Sequence, residues 1–443
     1  MSKGSSRRDF LKTTAVAGSA LAAGWSAVAN VHAGGNNEAL RIGLIGCGGR
    51  GTGAADQCLQ ADSNIRLHAV GDTFRDRATS CLNRLRGNQA IANRVTADND
   101  HIFVGLNAYQ QVLQNCDVVL LATPPGFRPI HIDAAVRARK HIFTEKPVAV
   151  DGPGIRTVLA AYEQANQNRL SIVAGTQRRY QTGYIESMQR IHNGDIGRIT
   201  SARCYWNQGG LWHRARENNM TDVEWQIRNW LYFTWLSGDH ICEQHVHNID
   251  VINWALGNAN GQNAHPVKCI GLGGRQARTA PQFGHIYDHF AIDFEYPEDV
   301  HVLSTCRQID GTPGRITEVV VGTRGTWSAP NTSGPAVERR PNYTITGERA
   351  WTFNARTNDN HPYEQEHVAL IRSIRTGQPI NDLRRVAEST LTAIMGRMAA
   401  YSGQLVTWED ALNSQLSLVP ANVTFDTPMP VPEVAVPGRT RAF

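Results

Sequence analysis

The 443-residue chain has no Cys-x-x-Cys pair, no internal repeat, no low-complexity segment and no block of like charge. Its eight cysteines, at 47, 58, 81, 116, 204, 242, 269 and 306, stand singly. That spacing offers no framework for a zinc ribbon or a disulfide scaffold, and buried free thiols are the simpler reading. Charge of one sign is also scarce. The formal net charge is +5, and residues 1–33 hold Lys3, Arg7, Arg8 and Lys12 against Asp9, which leaves +2 for the rest. Nucleic acid gains no support as a partner. With 41% hydrophobic and 19% charged residues the composition is that of a globular enzyme, and the length predicts two or three domains.

A strongly apolar run long enough to be a confident membrane span is missing too. The uncharged stretch from Thr13 to Val31 is rich in Ala, Gly, Ser and Thr. It follows Ser6-Arg7-Arg8-Asp9-Phe10-Leu11-Lys12, a twin-arginine pattern, and ends at a small-residue site, Val31-His32-Ala33. Residues 1–33 are therefore expected to be a cleaved export signal that delivers an already folded protein to the periplasm. No stable membrane span is expected after its removal; a retained N-terminal anchor is the alternative.

What the chain does have is Arg41 to Gly53, RIGLIGCGGRGTG. An apolar run breaks abruptly into glycines, which predicts strand, tight turn and helix. Gly46, Gly48 and Gly51 have the G-x-G-x-x-G spacing: the first for the turn, the second for close approach of a pyrophosphate, the third for packing of helix on strand. Cys47, Gly49 and Arg50 complete the loop, and the amides of the following helix would hold phosphates. A second strand, Leu67 to Gly71, ends at Asp72, about 20 residues on, where a carboxylate would bond the adenosine ribose hydroxyls. The alternative is a structural glycine turn with a solvated aspartate. Asp72 favours NAD over NADP, and Arg75 offers a cation that weakens this preference.

From Leu40 to about Leu170 strands and helices alternate, which predicts a parallel sheet covered on both faces. Thr123-Pro124 and Glu145-Lys146 close two of its strands at the carboxyl edge, where nucleotides bind. Lys146 precedes Pro147 and so sits in extended backbone, with a cis bond open to it. Beyond Ala174, Ile199–Asn207, His285–Tyr296, Val300–Gln308 and Thr317–Gly322 alternate, predicting an antiparallel sheet with one covered face. The fold class expected is an α/β Rossmann-like domain, residues 40–170, joined to an α+β domain with a large open antiparallel sheet, residues 171–410. A proline-rich arm, 411–443, follows.

The glycine turn, the acidic strand end, Glu145-Lys146-Pro147, Gly175-Thr176-Gln177-Arg178-Arg179-Tyr180 and Gly194-Asp195-Ile196-Gly197 together resemble the glucose-fructose oxidoreductase, inositol dehydrogenase and rhizopine catabolism (Gfo/Idh/MocA) family, over nearly all of residues 40–410. The resemblance implies that Lys146 lies between nicotinamide and substrate. It also implies that His247, in the family's Asp-x-x-x-His place, is the proton acceptor, with Glu243 standing where the family commonly has aspartate.

The residues themselves suggest that Asp239 to Leu256 is one helix on which Asp239, Glu243 and His247 share a face, with Asp250 one turn beyond. A carboxylate four residues before a histidine can orient its ring. A metal at His240, Glu243, His245 and His247 competes weakly, because His245 and His247 point to different faces; no metal is expected. Trp206, Trp212, Trp225, Trp230 and Trp235 crowd into 30 residues and suit a sugar face, although packing accounts for about half of such aromatics. Arg178, Tyr180 and Asp250 are candidate substrate contacts. The expected function is NAD(P)-dependent oxidation or reduction of a carbohydrate or cyclitol hydroxyl, with tightly held cofactor in a closed redox cycle and a homo-oligomeric assembly. The alternatives are an NAD-dependent glycosidase or lyase acting by transient oxidation and elimination, and an inert binding module.

Overall fold

The computed structural model describes residues 38–442. The export signal read at residues 1–33 lies outside the described residues.

The first sheet has six parallel strands: β1 (Leu40–Ile45), β2 (Ile65–Asp72), β3 (Ile102–Val104), β4 (Val118–Leu121), β5 (His141–Thr144) and β6 (Ile172–Ala174). Their order is β3-β2-β1-β4-β5-β6. β1 is central, and Ile42 to Ile45 are all buried. Helices cover both faces, which is why its sequence is continuously apolar instead of alternating. The helices between strands are α1 (Gly49–Ala61), α2 (Arg75–Arg86), α3 (Ala108–Gln114), α4 (Arg128–Arg137) and α5 (Gly152–Gln167). The strand order reverses where β1 separates β2 from β4, and the carboxyl ends there open a crevice of the kind that binds nucleotides in doubly wound sheets.

The second sheet has nine strands among the described residues: β7 (Ile199–Gln208), β8 (Lys268–Gly274), β9 (His289–Tyr296), β10 (Val300–Gln308), β11 (Arg315–Gly322), β12 (Gly325–Ser328), β13 (Asn342–Gly347), β14 (Trp351–Asn354) and β15 (Val406–Thr407). Burial alternates strictly along β9, with Phe290, Ile292, Phe294 and Tyr296 facing inward. One face is thus covered and the other is not. The cover is α6 (Val246–Leu256) and α7 (Leu383–Ser402), whose apolar residues share one core with the inner face of the sheet. The expectation of a wholly antiparallel sheet needs one correction: β7 and β10 pair in parallel, Cys204 opposite Ser304, while their other neighbours run antiparallel.

A larger correction concerns Asp239 to Leu256, which is not one helix. Asp239 has φ +70° and precedes a single turn, His240–Glu243; the chain then breaks at Gln244 and His245 before α6 begins. The buried Asp239 carboxylate accepts bonds from the Tyr287 amide at 2.9 Å, the Tyr401 hydroxyl at 2.5 Å and the His240 ring. It is consumed in holding the break together and does not join a catalytic face.

After Asn413 the chain runs extended across the body. Leu418, Val423, Phe425 and Met429 pack on a second aromatic core that contains Trp225, Phe233 and Trp235. The arm is pinned by the Leu418 amide donating to Asp151 at 2.8 Å and by Gln226 donating to the Met429 carbonyl at 2.5 Å. All eight cysteines are buried free thiols. No helix among the described residues is long and apolar enough to cross a membrane.

Candidate functional site

A cavity of about 660 Å³ lies at the carboxyl edge of the first sheet and is closed on its far side by elements of the second. Each loop glycine has a distinct reason to be glycine. Gly46 has φ +93°, where side chains are strained. A Cβ on Gly51 would fall 1.8 Å from the Gly46 carbonyl oxygen, so α1 could not pack on β1. A Cβ on Gly48 or Gly49 would meet nothing within 4 Å, because both face the open cavity. No acidic residue sits in the first turn of α1 to compete for its amides, so an anion can approach them. This cradle fits a pyrophosphate.

Cys47 contributes backbone only. Its amide donates to Asp72 at 2.7 Å, while its thiol is buried toward the Gly71 carbonyl and is not on the cavity wall. Asp72 also accepts from the Phe74 amide at 2.9 Å, and burial raises its pKa. The cation nearest to it on the wall is not Arg75, which is exposed and off the wall, but Arg77, half-buried on the same turn.

The ends of β4 and β5 are tied together by Arg128, a residue that drew no attention in the sequence. Its buried guanidinium donates to the Thr123 carbonyl at 2.7 Å and the Pro147 carbonyl at 2.5 Å. Burial brings its pKa down to about 10, which still leaves it charged at neutral pH. Thr123 and Pro124 line the wall beside it. Glu145, 4% exposed, pairs with Arg50 at 2.8 Å, and Arg50 lies over the Tyr363 ring at 4.9 Å. The link between Lys146 and Pro147 is cis. The Lys146 ammonium donates to the backbone carbonyl of Glu243 at 2.6 Å, so the lysine spans from the first sheet to the broken helix. Burial lowers its pKa, against the pull of Glu243 and Glu145.

Glu243 and His247 both reach the cavity wall despite the break between them, but no hydrogen bond joins them. The expected orientation of the imidazole by this carboxylate is therefore corrected. His247 is held by stacking on Trp206, centroids 5.7 Å apart at 22°, and its Nδ1 has no protein partner. Burial, then Lys146 and Arg178, hold its pKa well below the usual imidazole value, so the ring is neutral at neutral pH. One carboxylate oxygen of Glu243, Oε2, is likewise buried and unpartnered. His245 points away, bonding Ser304 Oγ at 2.7 Å, as expected of a core histidine.

The three substrate candidates are not brought to the wall. Tyr180 donates its hydroxyl to Asp382 at 2.7 Å. Asp250 forms a buried pair with Arg179 at 2.8 Å and accepts from Ser389. Arg178 is ion-paired with Glu318 and lies 5.7 Å over Trp206, behind the ring that stacks on His247. Of the five clustered tryptophans, Trp206, Trp212 and Trp230 line the cavity, whereas Trp225 and Trp235 are core. Gln244 and Tyr363 also line it and carried no sequence signal.

A nucleotide cradle and an acid-base cluster facing one another across a single cleft define a dinucleotide-dependent type of site. Residues 40–172 match the Gfo/Idh/MocA model, described as "Oxidoreductase family, NAD-binding Rossmann fold". Among curated proteins the chain is similar to inositol 2-dehydrogenase of Klebsiella pneumoniae (strain 342), 29% identical over 218 residues, 49% of this chain and 54% of that one. It is similar also to inositol 2-dehydrogenase of Cereibacter sphaeroides (strain ATCC 17029 / ATH 2.4.9), 32% identical over 217 residues with the same coverage. The chain spans about half the length of these curated relatives. Among solved structures it is similar to scyllo-inositol dehydrogenase from Lactobacillus casei with bound NAD(H) and scyllo-inositol, TM-score 0.61, 19% identical, covering 84% of this chain and 99% of that one. Aldose-aldose oxidoreductase from Caulobacter crescentus, complexed with glycerol, gives a TM-score of 0.64 at 15% identity, covering 83% and 99%. At these identities the structures speak to fold, and the parallel six-stranded sheet with its larger, mostly antiparallel partner is the Gfo/Idh/MocA fold.

Proposed function

We propose that the chain is an oxidoreductase of the Gfo/Idh/MocA family that uses NAD, with NADP second, on a hydroxyl of a carbohydrate or cyclitol. The observation that carries this reading is the convergence of Lys146, Glu243 and His247 on the same cavity as the glycine cradle and Asp72. Gly46 to Gly51, Asp72, Thr123, Pro124 and Glu145 would hold the nucleotide. When bound, its nicotinamide supplies the acceptor or donor of hydride.

The chain's own part is the proton. A neutral His247 on the cavity wall can take the hydroxyl proton as the carbonyl forms, and can return it in the reverse direction. Lys146, anchored on the Glu243 carbonyl, positions a cation beside the developing oxyanion and limits how far that oxygen can move. Trp206, Trp212 and Trp230 offer apolar faces to a ring substrate.

The export signal and the closed redox cycle extend the same proposal. A protein exported folded would carry its nucleotide from the cytoplasm and regenerate it in place. With association near ~10⁶ M⁻¹s⁻¹, a nanomolar complex empties in roughly a quarter of an hour, so retention needs a cover over the site. Support for a cover comes from the C-terminal arm, whose Phe425 packs 6.3 Å from Phe74 on the cavity wall. The test is to purify the protein, release and identify its nucleotide, and screen sugars and cyclitols for a change in bound-NADH absorbance without added NAD. Nucleotide present, with repeated turnover on a sugar or cyclitol, is the expected result. Empty protein that works only with supplied NAD overturns the closed cycle, and cleavage of a nitrophenyl glycoside without added NAD makes the protein a glycosidase or lyase.

A further inference from the structure

We propose that Arg77 and Arg214, one from each side of the cleft, form a phosphate site at the adenosine end of the cavity that takes the 2′-phosphate of NADP, so that the chain accepts NADP alongside NAD. The proposal rests on the dinucleotide function above and deepens it.

The cations along this cavity fall into two groups. Arg50 is paired with Glu145, Arg128 donates to two carbonyls, and Arg228 is shared between Asp76 at 3.4 Å and Glu224 at 3.3 Å. The guanidiniums of Arg77 and Arg214 have no hydrogen-bond or ion-pair partner among the described residues, yet both line the cavity beside Asp72. Arg77 is half-buried on the first turn of α2. Burial, then the proximity of Arg214, lower its pKa, an arrangement of like charges that an anion between them would relieve.

Arg214 is exposed, but the backbone that carries it is held in place. Its amide donates to Asn229 Oδ1 at 2.7 Å and its carbonyl accepts from Asn229 Nδ2 at 3.1 Å, while the Tyr232 hydroxyl donates to the neighbouring Trp212 carbonyl at 2.7 Å. The loop backbone is thereby fixed over the cleft, and only the arginine side chain remains free. Asp72, the residue that would otherwise repel a phosphate, has each oxygen already accepting a backbone amide. Its charge is partly answered before a ligand arrives. NAD, which carries only hydroxyls here, gives the arginine pair nothing to bind; a ribose phosphate gives it two charge-assisted contacts.

The experiment is competitive loading. Purified protein is held with equimolar NAD and NADP until exchange is complete, then bound nucleotides are released by acid and quantified by mass spectrometry. Where the retained nucleotide does not exchange, the ratio loaded during expression, compared among variants in one host, reads the same preference. The wild type should hold the two within about tenfold of each other. Arg77→Ala and Arg214→Ala should each shift the ratio toward NAD by about tenfold to a hundredfold, with Arg77→Lys restoring part of it. Three results overturn the proposal: a wild type that prefers NAD by more than about a hundredfold, arginine variants that lose both nucleotides in equal proportion, or variants whose ratio does not move. Uptake of neither nucleotide removes the dinucleotide function itself, a failure that the released-nucleotide assay separates from the others.

Discussion

On the wall built by the first sheet, what is offered to a ligand is mostly backbone: the amides of α1, the open glycines 48 and 49, and a carboxylate at Asp72 fixed by two amides. On the wall built around the second sheet it is side chains, with His247 stacked on Trp206, Glu243 unpartnered on one oxygen and three tryptophans at the surface. The first wall suits a ligand whose phosphates are always the same. The second can change its substrate by single substitutions without disturbing the sheet beneath.

The contrast breaks first at the glycines. Gly51→Ala places a Cβ 1.8 Å from a backbone oxygen, so about 3 kcal/mol of stability and nearly all bound nucleotide should be lost. Gly48→Ala meets no protein atom and should leave stability within about 0.5 kcal/mol while still weakening nucleotide binding about tenfold or more. Thermal melts together with assay of released nucleotide separate the two. Equal loss of stability in both variants would mean that the open glycines are structural.

At His247 on the opposite wall, and at Lys146, which reaches across to it, the order should reverse, with activity lost and nucleotide retained. His247→Ala is expected to lower turnover by about 10²- to 10⁴-fold, and Lys146→Ala to cost a similar factor, with nucleotide content unchanged in both. Near-normal turnover in the histidine variant would dismiss it as the proton acceptor.

Wall and core share one response to acid. Burial holds His131, His245 and His367 near a pKa of about 3, and His247 is also depressed. A histidine whose folded pKa lies below its unfolded value binds its proton more readily when unfolded. Stability is therefore full above pH 6.5 and falls as pH drops from there toward 3, by about 2 kcal/mol per such histidine at pH 5. Denaturant midpoints at pH 7 and pH 5 measure the slope. His367 packs on Phe143 with both ring nitrogens unpartnered, so His367→Leu should flatten that slope; an unchanged slope would show that this ring does not titrate on unfolding.

The smallest effect is expected at Glu243→Gln, less than about tenfold in turnover, because the carboxylate makes no hydrogen bond to His247. A loss as large as that of His247→Ala would mean that the two join once substrate is bound.

Most of the first wall could be read directly. Gly46, Gly48, Gly51 and Asp72 are close in sequence, and their geometry follows from a strand, a turn and a helix in succession. The strand that ends at Asp72 and the strand ends just before Thr123 and Glu145 were legible for the same reason. The second wall was half legible: residues 243 and 247 were found, but the helix thought to carry them is broken by Asp239 and His245 bonding to partners far along the chain, Tyr287, Tyr401 and Ser304. No local pattern signals such a break.

Arg178, Tyr180 and Asp250 went astray similarly. Their polarity suggested a ligand, whereas Glu318, Asp382 and Arg179 already satisfy them. Arg128, Gln244 and Tyr363 were passed over because a lone polar residue in a helix or loop has no sequence signature for facing a cavity. Sequence alone determined the glycine turn, the alternation that makes two kinds of sheet, and the nearness of residues 243 and 247, since each depends on spacing within one or two elements. Tertiary structure decided which buried charges neutralise one another, which tryptophans face the cleft, and that Arg77 and Arg214 line the same cavity. Those outcomes depend on contacts between residues far apart in the chain, 71 positions for Arg179 and Asp250 and 140 for Arg178 and Glu318, where no periodicity extends.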